Sequence, residues 1–118
     1  MTGKEIINKA ILLLGYNDGL GNTSDARFQL VSKNALNFVF CDLLGCLGRD
    51  DYGDIKNLSD EINLPKKVLF DCMPYGVAAF IAESVGDGDK QQYFAAMYNQ
   101  KRKRITYEDT VQDVIPVP

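Results

Sequence analysis

The stretch from residue 73 to residue 82 constrains the fold most, because it has no charged side chain and several very small ones: MPYGVAAFIA. Small side chains on a helix allow the backbone of a neighbouring helix to approach closely. The small residues are Gly76, Ala78, Ala79 and Ala82. The stretch therefore predicts a helix at the centre of the packing, with other helices lying against it.

This central helix is predicted to cover about residues 65–85. Pro65 suits the first position of a helix, because the N–H that proline lacks would be unpaired there. Pro74 falls inside the helix, where it removes one hydrogen bond and its ring clashes with the preceding turn. We therefore predict that the helix kinks at Pro74 or restarts near Met73.

Two helices are predicted before the central one. The first covers about residues 3–14, because Thr2 and Glu5 have the spacing of a capping box and Gly15 suits a left-handed C-cap. The second covers about residues 24–46, where apolar residues recur at intervals of three and four. The acidic, glycine-containing segment that follows is interpreted as an excursion over the surface.

The fourth predicted helix covers about residues 88–105 and has charged ends. Asp87 or Asp89 can cap its N-terminus, and a run of cations stands at its predicted C-terminus, where positive charge complements the helix dipole. The cations are Lys101, Arg102, Lys103 and Arg104. The predicted fold is thus all-α, a small antiparallel bundle of four main helices that forms one domain over residues 1–105.

Residues 106–118 are predicted to form an extended C-terminal arm that binds a partner. The arm holds three of the 16 acidic residues and none of the 13 basic ones, so it carries the whole formal charge of −3. Its apolar residues and prolines suit an apolar groove or the edge of a sheet in a partner. The candidate partner-binding residues of the arm are Val111, Val114, Ile115 and Pro116, to which the cations at 101–104 are added.

The chain contains no histidine, which removes the commonest general base and the usual transition-metal ligand. The cysteines Cys41, Cys46 and Cys72 are interpreted as buried thiols of the core, and they are too few for a structural zinc site. Asp87 and Asp89 lack the distal glutamate of a calcium loop. We expect no enzymatic activity, no metal and no cofactor.

The charge balance of the chain limits the kinds of partner that it is expected to bind. A net charge of −3 and a pI of about 4.8 argue against a dedicated DNA-binding domain. The basic run keeps three interpretations open: a solvated helix end, a charged surface that faces protein, or a nucleic-acid contact.

No apolar run approaches the length that crosses a bilayer, so we expect a protein of a cytosol-like compartment that makes no membrane contact. The apolar residues suffice for one core without a second large apolar stripe, which favours a monomer or weak oligomer.

Several segments, in this order, are similar to those of one known family. They are EIINKAILLLGY, ALNFVFCDLL, LSDEINLP and MPYGVAAFIAESVGDGDKQQYFAAMYNQKRKR, which together span about residues 3–105. The most specific parts are the helix start at Leu64-Pro65, the step at Pro74-Tyr75-Gly76 and the Gly-Asp-Gly-Asp junction. On these the chain resembles the small head–tail adaptor (connector, head-completion) proteins of tailed bacteriophages.

The resemblance implies a structural role in the neck of a virion, made in the cytoplasm of a bacterial host. Adaptors of this family form a ring, commonly of twelve subunits, beneath the portal and continue the DNA channel towards the tail. The implied partners are the portal protein, further copies of the chain, tail or other neck proteins, and packaged DNA in passing contact. An alternative from another class is a small cytosolic regulator that binds nucleic acid through the basic end of the fourth helix.

Overall fold

A computed structural model describes residues 1–16, 26–49 and 53–114, the last nine of these as backbone alone. Within these ranges the regular secondary structure is helical, residues 53–65 form a connection with one isolated bridge between Thr2 and Glu61, and no strand is formed. The prediction of an all-α bundle is confirmed. The helices are α1 (Gly3–Leu14), α2 (Ala26–Cys46), α3 (Lys66–Asp71), α4 (Met73–Ser84) and α5 (Gly88–Val114).

Helix α4 lies at the centre and packs against each of the other four helices. Its small residues are buried, together with larger side chains such as Met73 and Ile81. The closest approach is at Gly76, where an added Cβ would lie only 2.8 Å from the Tyr98 ring of α5 and 3.0 Å from Val39 of α2. The predicted central helix is confirmed, because small side chains are what let α2 and α5 approach its two sides.

The break between α3 and α4 falls at Cys72, directly before the predicted restart near Met73. Pro74 therefore lies in the first turn of α4, where a backbone N–H has no partner inside its own helix. The carbonyl of Cys72 accepts hydrogen bonds from the N–H groups of Tyr75 and Gly76. The proline starts a new helix here instead of kinking a continuous one.

Helix α1 has the predicted bounds and the predicted caps. The hydroxyl of Thr2 accepts from the Glu5 N–H at 3.2 Å, and the Glu5 carboxylate accepts from the Thr2 N–H at 3.1 Å. These hydrogen bonds lower the pKa of Glu5, the backbone bond from Thr2 most. At the other end Gly15 has a φ of 74°, in the left-handed region that glycine adopts without strain.

Replacing Thr2 by alanine is expected to lower the free energy of unfolding by about 1 kcal/mol, because it leaves a helix N–H without its side-chain acceptor. Ser84→Ala is the matched control. The Ser84 hydroxyl donates back to the Phe80 carbonyl within α4, and losing such a bond should change stability by less than about 0.5 kcal/mol. Urea denaturation of both variants would compare them, and equal losses would contradict the capping argument.

Helix α2 buries one face, and its opposite face is open. The start of this helix was predicted at residue 24, which lies outside the described residues; its end at Cys46 is as predicted. On the open face the side chains of Leu30 and Phe38 are 60% and 64% exposed. Asn34, which is also exposed, lies between them, so the expectation that no second large apolar stripe remains stays a prediction. The buried residues of α2 are Ser32, Ala35, Leu36, Val39, Leu43 and Leu44.

Helix α5 is longer than predicted. It continues from the expected end at residue 105 to Val114, so the backbone of residues 106–114 is helical where an extended arm was predicted. This stretch contains neither glycine nor proline, and extending an existing helix needs no new nucleus. Val111 and Val114 thus belong to the helix backbone, whereas Ile115 and Pro116 lie outside the described residues.

Candidate interaction surface

A polar cluster between α2 and α5 fixes the orientation of the basic run. The Arg102 guanidinium donates from Nε to Asp42 Oδ2 at 2.7 Å and from Nη2 to Asp42 Oδ1 at 3.0 Å. The Tyr98 hydroxyl also donates to Asp42 Oδ2, at 2.6 Å. Tyr98 and Arg102 are four residues apart, so they lie on the same face of α5. One carboxylate therefore anchors two turns of α5 to α2.

The electrostatics of this cluster keep Asp42 ionised. Burial by itself would raise the pKa of the Asp42 carboxyl, but the hydrogen bonds from Arg102 and Tyr98, with the Arg102 charge, lower it below its ordinary value. Burial and the Asp42 carboxylate both raise the pKa of the Tyr98 hydroxyl, and the hydrogen bond to Asp42 raises that of Arg102. At neutral pH the carboxylate and the guanidinium are thus both charged and paired.

The basic run divides into cations that are used inside the fold and cations that are not. Lys101 lies 3.0 Å from the Asp71 carboxylate and 4.7 Å from the centroid of the Tyr75 ring, and Arg102 pairs with Asp42. Lys103 and Arg104 are exposed, and within the described part of the chain neither forms a hydrogen bond or an ion pair. Only half of the run is therefore available to a partner.

The predicted electrostatic role of this run at the end of a helix is wrong. Helix α5 continues from Ile105 to Val114, so the cations lie in its interior. The favourable effect of positive charge on the helix dipole is confined to the last turn. Ion pairs with Asp71 and Asp42, which are distant in sequence, instead hold Lys101 and Arg102 in place.

A groove lies beside these residues, between α2 and the segment that follows residue 53. It has a volume of about 650 Å³. The Asn37 side chain fixes its outer wall, because its amide oxygen accepts from the Ile55 N–H at 2.5 Å and its amide nitrogen donates to the Ile55 carbonyl at 3.3 Å. The residues that line this α2 groove are Asn34, Asn37, Phe38, Cys41, Asp42 and Asp54.

Phe38 forms the apolar side of the α2 groove. Its ring lies 4.8 Å from that of Phe80, centroid to centroid, and both rings border a smaller adjoining cavity of about 160 Å³. Leu30 is also exposed on α2, eight residues earlier and about 80° around the helix from Phe38. An apolar surface of this kind, bordered by polar residues, is typical of a site where protein binds.

This surface was not predicted from the sequence. A signal was present in the spacing, because Phe38 and Val39 point about 100° apart on a helix and only Val39 continues the four-residue spacing of Ala35 and Leu43. The buried positions Ala35, Val39 and Leu43 recur at four-residue intervals and place Phe38 outside the buried stripe. Cys41 is also exposed in the groove, so its interpretation as a buried core thiol is wrong. Cys72 is buried as predicted, and this burial raises the pKa of its thiol to about 12.

A second polar cluster joins the end of α1 to the start of α5. The Tyr16 hydroxyl donates to Asp87 at 2.7 Å, and the Lys90 ammonium donates at 2.7 Å to the Leu14 carbonyl, which α1 itself leaves unpaired. Burial and Asp87 raise the pKa of Tyr16 to about 12, and the Tyr16 hydroxyl in turn lowers the pKa of Asp87. Asp87 also accepts from the Lys90 N–H at 3.4 Å, as predicted for a helix cap.

Within the described ranges, no group of three or more cysteine, aspartate or glutamate side chains is placed to hold a metal ion. No helix in those ranges combines the length and the apolar character needed to cross a membrane. No protein-family model, curated protein or solved structure matches the chain.

Proposed function

We propose that this protein is a structural component of the neck of a tailed-bacteriophage virion, where it forms a ring that joins the portal to the tail and continues the DNA channel. The proposal combines the sequence resemblance to head–tail adaptors with the open face of α2. That face, which exposes Leu30 and Phe38 beside a preformed groove, is the observation that carries it.

The polar clusters support a role in binding rather than in chemistry. The Asp42 carboxylate is engaged by Tyr98 and Arg102 of α5, and the Asp87 carboxylate by Tyr16 and by Lys90 three residues after it. Groups held in this way join helices to one another. The exposed side chains, two apolar ones on α2 and two cations on α5, are the kind that recognise another protein surface.

The partners of the proposed ring are the portal protein, neighbouring copies of the chain, and tail or other neck proteins. Lys103 and Arg104 can make a passing contact with packaged DNA if they face the channel. The alternative, a nucleic-acid-binding regulator, has less support, because Lys101 and Arg102 already pair with carboxylates of the same chain. Two exposed cations are a small electrostatic footprint for a dedicated nucleic-acid site.

The proposal is tested by mixing the purified protein with the portal protein encoded in the same genome. Electron microscopy is expected to show rings of this protein added to one end of the portal, and sedimentation should show the matching increase in mass. A gel-shift assay with duplex DNA serves as the comparison. Tight DNA binding together with no addition to the portal would contradict the neck assignment and favour the regulator.

Deleting residues 106–118 is expected to weaken recruitment to the portal while leaving the melting temperature of the isolated protein nearly unchanged. The described core contacts of α5 come from Phe94, Tyr98 and Ile105, which the deletion retains. Deleting residues 115–118 alone is the matched control, because it keeps all of α5. Circular dichroism and portal binding would be measured for both, and a shortened chain that unfolds would show that residues 106–118 are part of the fold.

A further inference from the structure

We infer that the α2 groove binds the face of α5 that carries Tyr93, Gln100 and Arg104 in a second copy of the chain, so that copies associate head to tail. This inference rests on the proposed function, because it names the two surfaces through which neighbours in the ring would meet.

The groove has an apolar side and an acidic side. Phe38, which is 64% exposed, supplies the apolar side. Asp42 is neutralised by Arg102, but Asp54 is exposed on the opposite wall and forms no ion pair within the described residues. An occupant that fits this groove therefore needs an apolar or aromatic side chain and a cation.

One face of α5 carries both of these groups. Tyr93 is 59% exposed, and Arg104 is exposed without a partner in the described part of the chain. At about 100° per residue, Gln100 and Arg104 both lie within about 20° of the line through Tyr93. The face thus presents an aromatic ring and a guanidinium in one stripe, which complements the phenylalanine and the carboxylate of the groove.

The occupant has to come from another copy. Arg102, which points at Asp42 of its own chain, follows Tyr93 by nine residues and so lies about 180° around α5 from it. The stripe through Tyr93 and Arg104 therefore faces away from the groove of the same molecule. Because the two complementary surfaces are different, their contact is heterologous, and a repeated heterologous contact closes into a ring when its rotation permits.

Phe38→Ala tests the apolar half of the contact. Sedimentation equilibrium over a concentration series is expected to show reversible association of the wild-type chain, weakened about tenfold or more by the variant, as for a central contact of an interface. Leu12→Ala is the matched control, because Leu12 is 74% exposed on α1, outside both surfaces. Equal association of the two variants, or a wild-type chain that stays monomeric throughout, would overturn the inference.

A charge exchange tests the polar half and the head-to-tail geometry. Asp54→Arg and Arg104→Asp are each expected to weaken association, because like charges then meet across the contact. An equimolar mixture of the two variants should associate again, since the altered groove of one accepts the altered helix of the other and the unaltered surfaces also match. A contact between two α2 grooves predicts that Arg104→Asp alone leaves association unchanged, so that result, or lack of recovery on mixing, would overturn the inference.

Ring formation on the portal, measured with the same variants, distinguishes a failure of this inference from a failure of the proposed function. If Phe38→Ala and both charge variants still form rings on the portal, the assigned contact is contradicted, while the neck function is not affected. Association that follows these predictions, in a protein that does not join the portal, would support the contact and contradict the function.

Discussion

Replacing Asp42 by alanine is expected to lower the free energy of unfolding by about 2 to 3 kcal/mol, the range found when hydrogen bonds to a charged group are lost. The variant removes the common acceptor of Tyr98 and Arg102. Tyr98 is buried and Asp42 accepts from its hydroxyl, so the variant removes this hydrogen bond together with the ion pair to Arg102. Urea denaturation at neutral pH measures the loss.

Asp54→Ala is the control for this prediction. Asp54 lines the same groove, but it is exposed and forms no ion pair among the described residues, so its removal should change stability by less than about 0.5 kcal/mol. A second variant, Tyr98→Phe, removes one of the donors and should lose part of what Asp42→Ala loses. If Asp42→Ala and Asp54→Ala were equally stable, the cluster would not hold α5 to α2.

The contribution of Asp42 should also depend on pH. Its pKa is lowered in the folded state, so its contribution is complete above the pKa of the unfolded chain, about 4, and is lost as the pH falls through the lower folded value. The difference in unfolding free energy between the wild type and Asp42→Ala should thus be constant near neutrality and shrink below about pH 4. Glu5 and Asp87, whose pKa values are also lowered, are common to both proteins and cancel in the difference.

The parts of the fold that the sequence predicted well are those set by neighbouring residues. The bounds of α1 follow from Thr2, Glu5 and Gly15, all of which act within their own turn of the helix. The restart before α4 follows from the position of Pro74 in the same way. The central position of α4 was predictable because its small residues are concentrated in one apolar stretch, where the backbones of other helices can approach closely.

The end of α5 was predicted wrongly because loss of an apolar face was taken as the end of a helix. Residues after Ile105 lack such a face, yet they also lack any residue that breaks a helix before Pro116. A helix already anchored in the core extends through residues of this kind at little cost, since only its first turn has to be nucleated. The position of the nearest proline was the better signal.

The candidate surface could be predicted only in part. The cations at 101–104 are visible in the sequence, but their carboxylate partners Asp42 and Asp71 come from other helices, and no local pattern pairs residues so far apart. The groove depends on the segment around Ile55, which Asn37 holds against α2. Its outward-facing Phe38 could have been found by testing which of two adjacent apolar residues continues the buried stripe.

Replacing Gly76 by alanine is expected to destabilise the protein by about 1 to 2 kcal/mol, although alanine is the better helix former. In an open helix position the change should stabilise by up to about 1 kcal/mol. Here the new methyl group would lie 2.8 Å from the Tyr98 ring and 3.0 Å from Val39, and overpacking of this kind costs about 1 to 3 kcal/mol. The Tyr98 ring cannot move aside freely, because its hydroxyl is held by Asp42.

A double-mutant cycle separates the cost of overpacking against Tyr98 from the effect of alanine on helix propensity. Tyr98→Val lacks the ring carbons nearest to Gly76, so Gly76→Ala should cost less in that background than in the wild type, with a coupling of about 0.5 to 3 kcal/mol. Gly88→Ala is the matched control, since a Cβ at Gly88 would have no atom within 4 Å. Urea denaturation of the four proteins gives the coupling. A value of zero would mean that α4 and α5 do not meet at Gly76, and the placement of Tyr98 over this glycine would then be wrong.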